Sequence, residues 1–185
     1  MRHRFEKGAS LVEASILLPL LILMAVGLSE VGFLVVDYLT VSNSAREGAR
    51  TGAAAANFND TVTGKDADDL ILAAVEESAC NLNFGDLEEV RIYKADAAGN
   101  PIAGSVNVYS PTAALACDNA ATNLGCDNGC PWAPASRDRV PPTFDDLGVE
   151  ITFSHTDITG IFPFPTVNWT ESAVMQIEPD TRGTQ

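Results

Sequence analysis

Histidine is nearly absent from this chain: two occur in 185 residues, His3 and His155. Chemistry built on paired imidazoles, on a histidine-rich metal centre or on a cysteine–histidine couple has little to draw on. No GxSxG elbow, HExxH helix or phosphate-cradling glycine loop occurs either. Cations are also scarce, with 11 lysines and arginines against 25 carboxylates and a net charge of −14. Binding a phosphate backbone needs clustered Lys and Arg, so nucleic acid is excluded as a partner. No cofactor and no metal are implied. The class that remains is a non-enzymatic structural or interaction component.

Cysteine is limited to four positions, Cys80, Cys117, Cys126 and Cys130. An even count in an exported domain favours two disulfides, and the sequence does not choose among the three pairings. A zinc site would have only His155 downstream to draw on. The Asp118-Asn119 and Asp127-Asn128-Gly129 clusters lack the spacing of a twelve-residue calcium loop, and ordinary turn chemistry accounts for them.

What the chain does have is a basic leader and a long apolar run. Arg2, Arg4 and Lys7, opposed by Glu6 alone, precede Gly8 and Ala9. Residues 1–8 hold three of the 11 cations and one of the 25 anions, so their removal leaves 8 against 24, a net −16. Glu13 follows Gly8 by five residues and stands at the start of ASILLPLLILMAVGLS, sixteen residues without a charge. Sixteen helical residues cover about 24 Å, short of a ~30 Å hydrocarbon core. Continuing to Val36 makes the span sufficient, which places the membrane segment at about 14–36. Glu13 and Glu30 are then about 26 Å apart along the helix and can bracket the hydrocarbon. Basic residues ahead of the span predict a cytoplasmic N-terminus and an exported body. The rival reading is a secretory signal peptide cut near Ala25-Val26-Gly27. It would leave FLVV as an exposed apolar N-terminus.

Helical character continues through 31–56, giving one helix from about 10 to 56. Ala45, Ala49 and Ala53 recur every fourth residue beside Gly48 and Gly52, a spacing that lets another backbone approach closely; packing onto the chain's own domain is the simpler reading. Glu30 and Asp37 share a helical face. Interhelical pairing and interfacial solvation are both open for Glu30, and solvation is favoured for Asp37. Residues 66–80 read as a second helix whose aspartates are caps and solvated surface. Alternating residues at 90–94, 105–110, 148–154 and 168–178 read as strands, with a turn at 97–101. His155 is expected as a polar surface residue and Trp132 as a cap on the core. Residues 157–165 form a proline-containing loop and 179–185 a frayed tail. The expected class is α+β: a long N-terminal membrane helix running into a small domain with one packing helix and about four antiparallel strands. The divisions are a leader at 1–8, the helix at 9–56 and an exported domain at 57–185 with a disulfide-stapled loop at 111–145.

The segment GASLVEASILLPLLILMAVGLSEVG, followed by SNSAREGARTGAA, resembles the TadE-like pseudopilins of the tight-adherence (Tad/Flp) pilus machinery. The matching features are Gly8, Glu13, Pro19, Glu30 with Gly32, and Ala45 to Arg50. VEITFSHTDITGIFPFPTVNWTESAVMQIEP also resembles the family's closing strand–loop–strand. Ala14 departs from the aromatic that many members carry after the glutamate. The resemblance implies processing between Gly8 and Ala9 by a prepilin peptidase and an accessory place in pilus assembly. Its implied partners are other pilin-like subunits and inner-membrane assembly proteins. Glu13 would be the docking carboxylate, within reach of the new α-amino group of a neighbour, with Glu30 as a second assembly residue. It implies a bacterial inner-membrane location with the C-terminal domain on the periplasmic side. The alternative is an exported binding domain tethered permanently by an uncut signal-anchor helix.

Overall fold

The computed structural model describes residues 3–82, 84–112, 123–157 and 166–179, with the backbone alone for 3–9. Cys117, the Asp118-Asn119 pair, most of the 157–165 loop and all but the first residue of the 179–185 tail lie outside the described residues.

One helix, α1, runs from His3 to Ala55 with Pro19 inside it, beginning earlier than position 10. It ends where Ala56 takes a positive φ of 45°, the left-handed conformation in which glycine or asparagine usually closes a helix. Full burial of Ala56 and a hydrogen bond from Arg137 Nη1 to its carbonyl, 3.2 Å, hold that conformation. Two-residue strands β1 (Asn59–Asp60) and β2 (Lys65–Asp66) form a small ribbon. Helix α2 spans Ala67–Ala79, one residue inside the expected bounds at each end. Asp66 is its N-cap, accepting from the amides of Asp68 and Asp69, while the Asp69 carboxylate accepts from the Asp66 amide. This reciprocal box satisfies amides that an uncapped helix leaves unpaired.

Strands β3 (Gly85–Ala95), β4 (Pro101–Pro111), β5 (Leu124–Cys126), β6 (Asp146–His155) and β7 (Val167–Gln176) make one antiparallel sheet in the order β5-β4-β3-β6-β7. The four expected strands are all present; the additions are the three-residue β5 and the β1–β2 ribbon, both too short to carry a period-2 signal. The fold is the α+β arrangement expected from the sequence, with both helices on one face of the sheet. Val90, Ile92, Leu147, Val149, Ile151 and Phe153 form the inner face, and α2 adds Ile71, Leu72 and Val75. The outer face is polar. Arg91 lies between Glu89 at 2.6 Å and Glu150 at 3.1 Å, and Tyr93 lies flat across Gly148, where a Cβ would come within 2.2 Å of its ring.

The small residues of α1 are explained by this packing. Val41, Ala45, Ala49 and Ala53 are buried against the chain's own domain. A Cβ on Gly48 would meet Val75 at 2.7 Å, and one on Gly52 would meet Leu147 at 2.7 Å and Ile71 at 2.8 Å. The contacts also set direction. Gly48 lies beside Val149 and Gly52 beside Leu147, so α1 runs antiparallel to β6.

The irregular segment after β5 is fastened by polar groups. Cys126 and Cys130 form a disulfide; Cys80 is disulfide-bonded as well. Asn128 accepts from the Val108 and Cys130 amides and donates to the Val106 carbonyl, which is turn chemistry. Beneath it lies a buried network around Asp68. That carboxylate takes hydrogen bonds from Asn107 Nδ2 and Tyr109 Oη, both at 2.8 Å, and pairs with Arg137. Arg137 also stacks on Trp132, 4.5 Å from the ring centre. Burial, with the Asp68 carboxylate beside it, pushes the Tyr109 phenol far above its usual value, so Tyr109 stays a proton donor. Asp68 is therefore neither a cap nor solvated surface, correcting that expectation. Trp132 is 4% exposed and does close the core.

Two predictions follow from this packing. Gly52→Val should cost about 1–3 kcal/mol or more in denaturant unfolding because the site is filled. Gly32→Ala, with nothing within 4 Å of the added carbon, should be neutral or stabilising by up to about 1 kcal/mol. The second concerns Glu76, which is buried and accepts from the Asn123 amide at 2.8 Å. Burial raises its pKa. Between the ordinary glutamate value of ~4.3 and that raised value, the unfolded chain has lost a proton the folded one keeps, so stability falls as pH rises. In melts across that window, Glu76→Gln should flatten the fall.

Candidate assembly helix and its junction with the domain

The first half of α1 carries no packing partner among the described residues. From Leu11 to Leu28 its large apolar side chains are exposed except for the half-buried Val26, with Leu11 and Leu28 both at 72%. Glu13 is exposed on this bare segment. Gly8 and Ala9 lie within α1, and their side-chain surroundings are outside the description. Beginning at Ser10, α1 is long and apolar enough to cross a membrane.

The domain first meets the helix at Glu30. That carboxylate is 7% exposed and is not without a partner. One heptad on, Asp37 is fully buried. His155 Nδ1 lies 2.9 Å from Asp37 Oδ2, and the Phe84 amide donates to the same oxygen at 3.3 Å. The Asp37 side chain is thus held by the end of β6 and the start of β3, at the point where the helix leaves the sheet. The expected interfacial solvation of Asp37 is overturned, because the domain covers that face of the helix. His155, expected on the surface, is 5% exposed and is the partner that sequence reading missed. Asp37, Val41 and Ala45 follow one another at intervals of four, and that phase is the signal which would have placed Asp37 inward.

Two aromatic contacts flank this junction. Phe33 and Phe84 meet edge to face with ring centres 5.0 Å apart, and Tyr38 meets Trp169 at 6.3 Å. Further along, Arg46, Glu47 and Arg50 remain exposed. Glu47 and Arg50, with Thr51, Ala54, Ala55 and Leu70, line an open groove between α1 and α2. Among the described residues no group of histidine, cysteine, aspartate or glutamate side chains is arranged to hold a metal ion. What the described residues present is a bare apolar helix segment continuous with a core helix of the folded domain.

Residues 8–50 match the family model described as TadE-like protein, over the segment that carries the resemblance in the sequence. This N-terminal segment is TadE-like, and the match ends at Arg50, inside the second half of α1. No curated protein and no solved structure matches the chain.

Removing the Asp37 carboxylate tests the junction. Asp37→Ala leaves His155 Nδ1 and the Phe84 amide unsatisfied and should cost about 1–3 kcal/mol, read as a lowered melting temperature of the detergent-solubilised chain. An unchanged melt would contradict the role assigned to this pair.

Proposed function

We propose that this chain is a non-enzymatic, membrane-anchored pilin-like subunit that takes part in assembling a pilus of the tight-adherence type. The observation that carries the reading is the TadE-like match over residues 8–50, lying on a helix whose first half projects bare and apolar from a folded domain. Such a helix is suited to the bilayer before assembly and to a bundle of like helices afterwards, because lipid and packed side chains are both apolar surroundings.

In this reading residues 1–8 are a leader removed by a prepilin peptidase between Gly8 and Ala9. Removal discards a net positive segment and creates an α-amino group at Ala9. Glu13 is the docking carboxylate: charge in an apolar surrounding is costly, and the new amine of a neighbouring subunit neutralises it. Glu30 contributes at the other end of the span, where helix and domain join. The leader stays cytoplasmic and the domain of 57–185 lies on the outer side of the inner membrane. Other pilin-like subunits and inner-membrane assembly proteins are the partners.

Intact-mass measurement of the protein from a host with an active prepilin peptidase tests the central step. The expected chain begins at Ala9; a chain that retains residues 1–8 overturns the reading and favours a permanently tethered domain. Glu13→Ala should leave processing and membrane insertion intact and abolish or sharply reduce pilus formation. Unimpaired pili in that variant would remove the docking role.

A further inference from the structure

The apolar surface of α1 does not end where the sequence places a charge. Between Ala14 and Ala45 the charged residues are Glu30 and Asp37, and both are turned into the domain. The opposite flank is therefore uncharged over this whole stretch. On it Val31, Val35, Val36 and Leu39 remain 46–59% exposed, continuous with the bare segment from Leu11 to Leu28. Ser29 and Tyr38 are the polar side chains exposed between Leu28 and Leu39, and exposed charge returns only at Arg46. From Leu11 to Leu39 the helix is about 42 Å long, which matches a bilayer with its headgroup layers, about 40–45 Å, rather than the hydrocarbon alone.

The domain contributes at the same level. Phe84 is 38% exposed, and Trp169 is half-buried beneath Tyr38. The amphipathic rings of Trp169 and Tyr38 favour the headgroup region, where one side is apolar and the other wet.

We propose that lipid covers the outward flank of α1 as far as Leu39, and that the adjoining rim of the domain, Phe84 and Trp169, sits in the headgroup layer. This rests on the membrane reading above and extends it. The domain is seated on the bilayer instead of standing off it, and it screens Glu30 and Asp37 from the lipid that reaches the other side of the same helix. Lipid is the occupant because the flank continues the bare apolar segment, and because exposed charge returns only at Arg46, beyond the headgroup level.

The test uses the full-length protein in phosphatidylcholine–phosphatidylglycerol vesicles, with an environment-sensitive fluorophore on one introduced cysteine at a time. The positions are Leu21→Cys, Val35→Cys, Leu39→Cys and Ala54→Cys, all on exposed parts of α1. The expected result is blue-shifted emission, loss of quenching by aqueous iodide and gain of quenching by lipid-borne nitroxide at 21, 35 and 39. Position 54 should behave as in water. Lipid signals at 21 with aqueous signals at 35 and 39 would overturn the proposal and leave the membrane span standing. Aqueous signals at 21 as well would overturn both. Probes at 35 and 39 shielded from both quenchers would place a neighbouring protein on this flank, which also overturns the proposal.

Discussion

Between Ala14 and Ala45 the apolar helix carries two carboxylates, both buried by the domain, and the remainder of this structure is arranged around that burial. Glu30 and Asp37 lie one heptad apart on one face of α1, and the domain is packed against that face. The Asp37 carboxylate is held by His155 and by the Phe84 amide, groups supplied by two neighbouring strands of the sheet. A buried charge without such partners would cost several kcal/mol. The same side chains that interrupt the apolar sequence therefore fix the angle at which the domain leaves the helix.

Below that junction the helix changes role without changing secondary structure. From Ser10 to Ala25 it is bare; from Val41 to Ala55 it is a core element whose alanines and glycines allow β6 and α2 to approach closely. Larger side chains would hold these elements apart, and the exposed flank of Arg46, Glu47 and Arg50 would no longer sit beside the groove under Leu70. The far end of the domain is closed by a different device. Asp68, Asn107, Tyr109 and Arg137 bind the irregular segment to α2, β4 and the Ala56 carbonyl just past the end of α1. A segment with little apolar periodicity thus acquires order from buried polar groups, each of which has a partner in the others.

Much of this was legible in the sequence, because the strong signals are local. Helix α2 announced itself through its acidic first turn and apolar stripe, and the four long strands through alternation. The long helix followed from uninterrupted apolar and alanine-rich composition, and the family resemblance of residues 8–50 from Gly8, Glu13, Pro19 and the Ala45–Arg50 segment. The misses share a physical cause. Asp37 and His155 are 118 positions apart, and nothing local in either marks the contact. Asp66, Asp68 and Asp69 look alike as residues, yet two cap the helix and one is buried. Only the phase of Asp68 with Ile71, Leu72 and Val75 separates it from the others. The outward flank at 31–39 was hidden for the same reason: a sequence counts the charge of Glu30 and Asp37 but not the side toward which they point.

The central claim is that anchor and domain form one rigid body, since the second half of α1 is core. Amide hydrogen exchange of the membrane-reconstituted chain tests this most directly. The account predicts that amides of residues 41–55 exchange as slowly as those of β6, opening only when the domain unfolds. Exchange in 41–55 far faster than in β6 would show the helix to be a loose tether and would contradict the account.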